Sequence, residues 1–528
     1  MSPRLPLLDT SSDIDGGAAM AVSDSPAVAM ASALDALKRQ VAEAVSRDGF
    51  DQHQVAVDHL VWNFAHVEAA RAVRESAGAR ANGWADSIAD LCETQALNNL
   101  NGTKPGDDIR LGVRLAEIAD RYEPIEDLGA ADDHRLLRSS LRQFAIREIS
   151  PHARDIHRTD SDIPDHIISA VAKMGLLGLS VPPEFGGVND GGDIRSMLIA
   201  TEELSRASLG AGGSLMTRPE ILVRALLRGG TLEQKDRWLP EIATGQKLVA
   251  VAVTEPDFGS DVAEIACRAT RLPSGAWEIT GTKLWCTFAG RAHLLMLLCR
   301  TADTRHKGLS VFVVEKPSFA GHEFTFTQPG GGVLRGKAIP TIGYRGMHSF
   351  ELSFEQFQLP PIALVGGEAG LNQGFYLQME GFTMGRIQTA ARAVGLMQAA
   401  FEEAMTYAKD RTAFGSRLLA NQLIRSKLGE MILRVHASRQ LSYRAARLLE
   451  NGQGQTEASL AKLFASRMAE LVTREAMQIH GGIGYSDESN AARYWVDARV
   501  LAIFEGTEEV LSLRVVGRSL LRPAQQPR

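Results

Sequence analysis

The sequence has only four cysteines among 528 residues, and no two of them form a C-x-x-C pair. Their small number and wide spacing argue against a disulfide framework or a cysteine zinc site, and favour a reducing compartment, the cytoplasm. No run of 18 uncharged apolar residues occurs, so we predict a soluble chain without a membrane partner. The net charge is -6, and basic and acidic residues are interspersed, so no basic patch indicates binding of nucleic acid.

The most familiar nucleotide and metal motifs are also missing. No G-x-x-x-x-G-K-[ST] sequence occurs, and the glycines between 330 and 336 follow Pro329 without opening a helix. These observations argue against a P-loop or a Rossmann dinucleotide site. H-E-x-x-H is absent as well, and we predict no metal site.

The length and the periodicity of apolar residues predict several domains, because 528 residues exceed the usual size of one hydrophobic core. Residues 1–32 mix Ser, Asp, Gly, Ala and Pro and resemble a disordered tail. An N-terminal helical extension follows over 33–127, and a second helical domain over 128–246, with the boundary near 128. A middle β domain over 247–362 and a C-terminal helix bundle over 363–528 complete the chain.

Local patterns support this division. Two prolines and two glycines in 181–187 interrupt the second helical domain. Strand composition or alternation marks 308–315 and 350–354, while the segment Trp277–Trp285 suggests a hairpin around Gly281. Long helical segments then return at 375–410, 419–450 and 457–479, with a final helix after Thr507.

Seven short motifs occur in the order that is typical of one enzyme family, although each alone is weak. They are Met174–Leu179, Thr254–Asp261, Lys283–Thr287, Gly308–Ser310, Arg411–Gly415, Gln478–Gly482 and Glu505–Thr507. On these motifs the chain resembles acyl-CoA dehydrogenases from about residue 134 to residue 521. The resemblance implies a mainly α fold with a central β module: an N-terminal helical domain, a middle β-barrel or sheet domain and a C-terminal helix bundle. It also implies FAD as cofactor and an acyl-CoA as substrate.

Two β-strand segments carry the first candidate site residues. By resemblance, Thr254 contacts the flavin ring and Ser260 contacts the thioester ligand, on a loop that exposes backbone amides. Trp285 covers the flavin and Thr287 hydrogen-bonds near its N5; their alternation with Cys286 predicts that both leave the same face of a strand. Taken alone, the loop is more typical of an ordinary strand-end turn, and a tryptophan on a strand is more often a core residue than a cofactor contact.

The helical region carries the rest of the implied FAD site. By resemblance this part consists of Arg411, Phe414, Gln422, Gln478, Gly481, Gly482 and Thr507. Arg411, Phe414 and Gln422 would bind the FAD of a neighbouring subunit, which implies a homodimer or homotetramer. We expect a helix end at Phe414-Gly415, and Ala413 replaces a hydroxyl residue found in some relatives. The glycine pair can turn amides toward a pyrophosphate, or can be a plain helix C-cap.

Glu505 is the predicted catalytic base. It follows the apolar run Val500–Phe504 and precedes Gly506 and Thr507, which can cap the next helix, so the carboxylate belongs to a tight, partly apolar turn. By resemblance, Glu505 removes the α proton while the β hydrogen leaves as hydride to the flavin. Some relatives carry the base immediately before the helix arginine, but here that position is Gly385.

The substrate-binding residues implied by the resemblance are Ser260, Arg386 and Gly506. The extension, together with 343–347 and 386–395, resembles the subgroup that converts (2S)-methylsuccinyl-CoA to mesaconyl-CoA in the ethylmalonyl-CoA route. A second carboxylate on the substrate would need a fixed cation, and Arg218 or Arg345 can supply it. Either arginine can equally be a surface or subunit contact.

Three other interpretations remain open at this point. The chain can be a dehydrogenase of another short or branched acyl-CoA, with an electron-transfer flavoprotein as electron acceptor. It can be an oxidase that passes electrons to oxygen. It can also be a flavin-free scaffold that kept the fold and uses its N-terminal helices as a partner surface.

Overall fold

The computed structural model describes residues 25–78, 83–102, 107–122, 132–188 and 193–522. The part of the predicted tail up to residue 24 and the predicted boundary near 128 lie outside these ranges. Helices flank a central sheet, which confirms the predicted mainly α fold with a central β module. Within the described ranges, the helices lack the combination of length and apolar character that a membrane crossing requires.

The N-terminal extension is helical and packs on the C-terminal helices. Its first helix begins at Pro26, where the missing N–H of proline costs nothing, so part of the segment assigned to the tail is helical. Asp58 accepts a hydrogen bond of 2.6 Å from the Ser512 hydroxyl. A Cβ at Gly517 would lie 2.5 Å from Val57, so only glycine permits this approach. The helices are α1 (Pro26–Asp48), α2 (Gln54–Gly78), α3 (Gly83–Asn101) and α4 (Asp107–Asp120).

The second helical domain precedes the sheet. The segment with two prolines does interrupt it, as predicted, and forms a short 3₁₀ turn at Pro183–Phe185. A π-helical turn, Leu209–Gly213, joins its fourth and fifth helices. The helices are α5 (Asp132–Glu148), α6 (Ser150–Thr159), α7 (Asp165–Lys173), α8 (Ile194–Ala207), α9 (Thr217–Gly229) and α10 (Leu232–Ala243).

The middle domain is an eight-stranded sheet with the order β1-β4-β2-β3-β8-β7-β6, and β5 pairs with β4. Its strands are β1 (Val249–Ala252), β2 (Arg268–Arg271), β3 (Trp277–Thr287), β4 (Leu294–Arg300), β5 (Leu309–Glu315), β6 (Glu323–Thr327), β7 (Val333–Ile339) and β8 (Ser349–Leu359). The predicted hairpin around Gly281 is wrong, because Gly281 lies inside one continuous strand. Glycine is needed there for close approach: a Cβ would lie 2.8 Å from the Cα of Cys267.

The C-terminal bundle is built around one long helix, α12, whose small residues allow close packing. A Cβ at Gly395 would lie 2.1 Å from the Glu202 carbonyl oxygen, so α8 and α12 approach more closely than alanine would permit. The elements are α11 (Gly367–Gly370), α12 (Gly374–Asp410), β9 (Thr412–Ala413), β10 (Ser416–Arg417), α13 (Gln422–Glu450), α14 (Gln455–His480), α15 (Asn490–Leu501), the π-helical segment Val510–Gly517, and α16 (Arg518–Leu521).

A buried ion network fastens the second helical domain to the bundle. The Glu202 carboxylate on α8 contacts Arg138 of α5 at 3.0 Å and accepts a 2.7 Å hydrogen bond from Nε of Arg439 on α13. Tyr443 donates to the same carboxylate at 3.1 Å. Burial works to raise the pKa of Glu202, but the two guanidinium groups outweigh it and lower the pKa to about 2.

We expect Glu202→Gln to destabilise the protein by about 3–5 kcal/mol, because it leaves the buried guanidinium of Arg439 without its counter-charge, while Arg138 keeps its contact with Glu203. The pKa of Glu202 is lower in the folded protein than its ordinary value of 4.5. The contribution of the Glu202 carboxylate to the free energy of unfolding is therefore complete above pH 4.5 and is lost as the pH falls toward 2. Urea unfolding at pH 7 and pH 4 measures both effects.

The matched control is Glu355→Gln, which removes the same charge from an ion pair with Arg335 that is about half exposed. Exposed pairs contribute little to stability, so this variant should unfold like the wild type. Equal losses in the two variants would contradict the role assigned to the network.

Candidate active site

The turn that carries Glu505 is tight because two consecutive residues have left-handed backbone angles. Glu505 has φ 56° and Gly506 has φ 100°, between the end of α15 and the π-helical segment. The Thr507 hydroxyl accepts a hydrogen bond of 3.4 Å from the amide of Val510, so it caps the helical segment that follows. A non-glycine residue in this conformation is uncommon and marks a constrained position.

The Glu505 carboxylate is buried, with only 5% of the side chain exposed. One oxygen, Oε1, accepts a hydrogen bond of 2.9 Å from Nη1 of Arg218 on α9. The other oxygen, Oε2, is buried and has no hydrogen-bond partner among the described residues. One side of the carboxylate is therefore fixed, and the other is free to accept a proton.

Gly385 on α12 makes room for this carboxylate. A Cβ at that position would lie 2.9 Å from Oε2 and 3.2 Å from the carboxyl carbon of Glu505. Both distances are below ordinary van der Waals contact. The position of the Glu505 carboxylate therefore requires a glycine at 385, and the sequence alone did not reveal this dependence.

Basic groups anchor the backbone around Glu505. Arg386 donates from Nε to the Glu505 carbonyl oxygen at 3.3 Å. Lys462 of α14 donates from Nζ to the Gly506 carbonyl oxygen at 2.7 Å. Burial lowers the pKa of Lys462 to about 7, partly opposed by the negative charge of Glu505. Lys462 was not among the predicted site residues, although a lysine within the apolar periodicity of a helix is a usable signal.

Arg392 adds a further buried cation next to this group. Its side chain is inaccessible to solvent, and its guanidinium lies 4.7 Å from the centre of the Phe504 ring. Burial lowers the pKa of Arg392, and the neighbouring charge of Arg218 lowers it further. Buried positive charge therefore exceeds the negative charge of Glu505, which favours an additional anion here.

Of the two arginines considered for a substrate carboxylate, only Arg218 contacts Glu505. Arg345 donates to the His157 carbonyl oxygen at 2.7 Å and to the Thr341 carbonyl oxygen at 3.2 Å. Its Nε also lies 3.6 Å from Asp160. The guanidinium of Arg345 is thus occupied by loop contacts.

The loop after β1 and the strand β3 form a second group of site residues. The amide of Leu284 donates to the Thr254 carbonyl oxygen at 2.7 Å, which brings Thr254 next to Trp285. Ser260 lies on the exposed part of the same loop. A buried ion pair that sequence analysis had not singled out holds the loop: Lys283 and Glu255 are 2.6 Å apart.

The expected alternation of Trp285 and Thr287 does not describe this stretch of β3. Trp285 is 53% exposed, whereas Thr287 is buried and its hydroxyl lies 3.0 Å from that of Ser349. The pairing of β3 with β8 is irregular between Lys283 and Cys286, and Trp285 has φ 57°. A bulge interrupts the two-residue period, so neighbouring positions no longer predict a common face.

A cavity of about 460 Å³ gathers part of the predicted cofactor site at the ends of α12 and α14. Its lining includes Arg411, Gly481, Gly482 and His480, whose ring stacks on Tyr407 at 4.4 Å. A guanidinium beside the backbone amides of two glycines has the donor chemistry that a diphosphate requires. The residues present therefore fit the nucleotide part of FAD.

Three other residues of the predicted site lie on the exposed surface. The expected helix end at Phe414-Gly415 is wrong: α12 ends at Asp410, and Phe414 and Gly415 form the tip of the β9–β10 hairpin. Both tip residues have positive φ, which suits a two-residue hairpin turn. Phe414 is fully exposed, and Gln422 and Gln478 are also exposed. An aromatic ring in this position offers a planar face to a ligand outside its own chain.

Three family models match the chain: the acyl-CoA dehydrogenase N-terminal domain over 131–246, the middle domain over 250–357 and the C-terminal domain over 372–521. A (2S)-methylsuccinyl-CoA dehydrogenase from Cereibacter sphaeroides is 40% identical, with 74% of this chain and 70% of that protein covered.

Other relatives carry different substrate names. The mitochondrial short-chain specific acyl-CoA dehydrogenase of Bos taurus is 36% identical, with 76% of this chain and 92% of that protein covered. The structure of butyryl-CoA dehydrogenase from Megasphaera elsdenii superposes with a TM-score of 0.69 at 30% identity and covers 75% of this chain and 100% of that one. The chain therefore belongs to the acyl-CoA dehydrogenase family, whose members are FAD-dependent oxidoreductases that act on the CH–CH bond of acyl-CoA thioesters.

Proposed function

We propose that this protein dehydrogenates a short branched acyl-CoA at the α,β position, and that its substrate is (2S)-methylsuccinyl-CoA, which gives mesaconyl-CoA. The observation that carries the proposal is the buried carboxylate of Glu505, with one oxygen bound to Arg218 and the other without a partner among the described residues. A carboxylate held in this way can accept a proton from carbon without first being desolvated.

The reaction divides the two hydrogens between two acceptors. Oε2 of Glu505 takes the α hydrogen as a proton, and the electron pair of that C–H bond forms the new double bond. FAD, when bound, supplies the acceptor for the hydride that leaves the β carbon. Arg218 holds the carboxylate through Oε1, while Arg386 and Lys462 fix the backbone of the turn through its carbonyl oxygens. These contacts limit the motion of the base.

A second carboxylate on the substrate would match the buried charges of the site. Arg218 uses Nη1 for Glu505, and its Nε is buried without a partner among the described residues; the same is true of Nε of Arg392. A guanidinium with unused N–H groups binds a carboxylate strongly in a dry site. The similarity to a methylsuccinyl-CoA dehydrogenase supports this substrate, whereas the short-chain relatives support an uncharged acyl group.

The remaining site residues keep the roles proposed from the family resemblance. Ser260, Arg386 and Gly506 would bind the acyl-CoA. Within one chain, Thr254, Trp285, Thr287 and Thr507 would surround the flavin. The residues assigned to the nucleotide part are Arg411, Phe414, Gln422, Gln478, Gly481 and Gly482. The exposed ring of Phe414 supports a homodimer or homotetramer, since it can cover FAD of a neighbouring subunit.

We further propose a cytoplasmic enzyme that passes its electrons to an electron-transfer flavoprotein. The four cysteines are buried free thiols, which fits a reducing compartment. Anaerobic turnover with such a flavoprotein or with ferrocenium, against consumption of oxygen in air, separates a dehydrogenase from an oxidase. A purified protein that releases no FAD on denaturation would instead favour the scaffold interpretation.

We expect Glu505→Gln to abolish bleaching of the flavin absorbance by methylsuccinyl-CoA, because the amide cannot take the α proton. A general base contributes roughly 10²–10⁴-fold to the rate, so residual bleaching should be slower by at least about a hundredfold. Stopped-flow absorbance under anaerobic conditions measures this rate. Glu355→Gln is the matched control, because it makes the same change at a half-exposed carboxylate of β8 that is paired with Arg335. Normal bleaching by Glu505→Gln would remove Glu505 from the role of base.

We expect Arg218→Met to reduce the preference for methylsuccinyl-CoA over butyryl-CoA. Loss of a charge-assisted hydrogen bond costs about 1.5–3 kcal/mol, which corresponds to a roughly 10–100-fold lower ratio of the two kcat/KM values. Arg218 also holds Glu505, so a fall in kcat/KM that is the same for both substrates reports a displaced base. A change in the ratio of the two values reports the loss of the contact between Arg218 and the substrate carboxylate. Arg345→Met serves as control and should leave the ratio unchanged. An unchanged ratio in Arg218→Met would exclude Arg218 as the carboxylate anchor.

We expect Gly385→Ala to lower kcat by roughly 10–100-fold, because the added methyl group displaces the carboxylate of Glu505. Gly112→Ala on α4 is the control, since a Cβ there meets no atom closer than 3.5 Å. It should be as active as wild type. Full activity of Gly385→Ala would show that the position of the carboxylate is less constrained than the structure indicates.

A further inference from the structure

Three side chains with metal-binding atoms meet at a junction of loops away from Glu505. Asp160 follows α6 in the second helical domain, whereas His322 and His348 precede β6 and β8 in the middle domain. Their ligand atoms all lie within 4.8 Å of one another. His348 is buried, Asp160 is partly buried and His322 is exposed, so the group is open to solvent on one side.

Four distances within this group are close to those between the ligands of a tetrahedrally coordinated metal ion. The two Nε2 atoms of His322 and His348 are 3.1 Å apart, and Nε2 of His348 lies 3.3 Å from Oδ1 of Asp160. The carbonyl oxygen of Asp160 lies 3.0 Å and 3.2 Å from the same two nitrogens. Ligands bound to zinc at about 2.0–2.1 Å are about 3.3 Å apart when the geometry is tetrahedral.

A second carboxylate sets the orientation of His348. Oδ1 of Asp162 lies 3.0 Å from Nδ1 of His348, and an ionised carboxylate can only accept, so Nδ1 carries the hydrogen. The other oxygen of Asp162 accepts from the amide of Gly321 at 2.7 Å, next to His322. With Nδ1 protonated, Nε2 of a neutral His348 presents a lone pair to the oxygens of Asp160. Metal-binding histidines usually have this carboxylate arrangement.

The backbone at this junction is strained. Asp160 has φ 50° and His348 has φ 31°, both in the left-handed region. Such conformations in non-glycine residues are sparsely populated and persist where surrounding contacts fix them. One cation already lies close, because Nε of Arg345 is 3.6 Å from Oδ1 of Asp160. An added ion would share that carboxylate with Arg345.

We propose that His322, His348 and Asp160 bind a divalent transition-metal ion of the zinc class. Two imidazoles and one carboxylate form a ligand set that zinc accepts, and the exposed side leaves a position for water or for the Asp160 carbonyl oxygen. The ion would join the loop between α6 and α7 to two loops of the sheet. Its role is to fix this junction, and it takes no part in the removal of hydrogen from the acyl-CoA.

The test uses tag-free holoenzyme that has been dialysed against a chelator and then titrated with zinc chloride. We expect one zinc ion per chain by elemental analysis after gel filtration, and a higher melting temperature in the presence of zinc. His322→Ala should abolish stoichiometric binding, and because His322 is exposed this variant should fold. Asp162→Asn should weaken binding by about 10–100-fold, since it removes the charge of the carboxylate that orients His348.

A pair of histidines in the second helical domain provides the control. His152 and His166 have their Nε2 atoms 3.2 Å apart on the surface, and neither belongs to the three-residue group. His166→Ala should therefore leave the zinc content unchanged. Absence of bound zinc in the wild type, or equal zinc binding by the wild type and His322→Ala, would overturn the proposal.

Discussion

The ion pair between Glu505 and Arg218 is the interaction on which the site depends. A buried carboxylate is costly without a counter-charge, and a buried guanidinium is equally costly. Here each compensates the other at 2.9 Å, across 287 residues of sequence. Because Arg218 lies on α9 and Glu505 on the turn after α15, the second helical domain and the bundle must be correctly packed before either charge is satisfied. The site is therefore coupled to the assembly of the whole fold.

Close packing of helices makes this coupling possible. Gly385 and Gly395 lie on the same long helix, α12; at the first, a side chain would meet the carboxylate of Glu505, and at the second, the backbone of α8. Gly385 thus leaves room for the carboxylate of the site, and Gly395 leaves room for the close contact between two helices. The ion network around Glu202 adds contacts from α8 to α5 and α13, so α8 is held both by this network and by its close approach to α12.

Local patterns were enough to predict most of the fold. Periodicity located α12, α13 and α14, and the apolar run before Glu505 placed this residue in a tight turn. The errors arose where a contact between distant segments decided the outcome: Gly281 suggested a turn, but close approach to Cys267 keeps it inside β3. The bulge before Cys286 likewise depends on the pairing of β3 with β8, which no local pattern reveals.

In the candidate site, too, local patterns predicted which residues matter, whereas contacts between distant segments decided how they are arranged. The family resemblance selected Glu505 and Arg386, and the need for a cation opposite a second substrate carboxylate suggested Arg218 and Arg345. The sequence does not show which arginine reaches Glu505, and Arg345 is instead held by carbonyl oxygens of its own surroundings. Asp160, His322 and His348 were invisible for a related reason. Their ligand atoms come from three loops separated by 26 to 188 residues, so no motif spacing connects them.

The N-terminal extension is linked physically to the turn of Glu505, although it lies outside the segments that the family models match. Trp62 of α2 stacks under the guanidinium of Arg467 at 3.5 Å, and Arg467 in turn binds Glu508 at 2.9 Å. Glu508 stands three residues after the base, and Ser512 of the following π-helical segment donates to Asp58 of the same α2 helix. The extension therefore contacts the helical segment that directly follows the turn of Glu505.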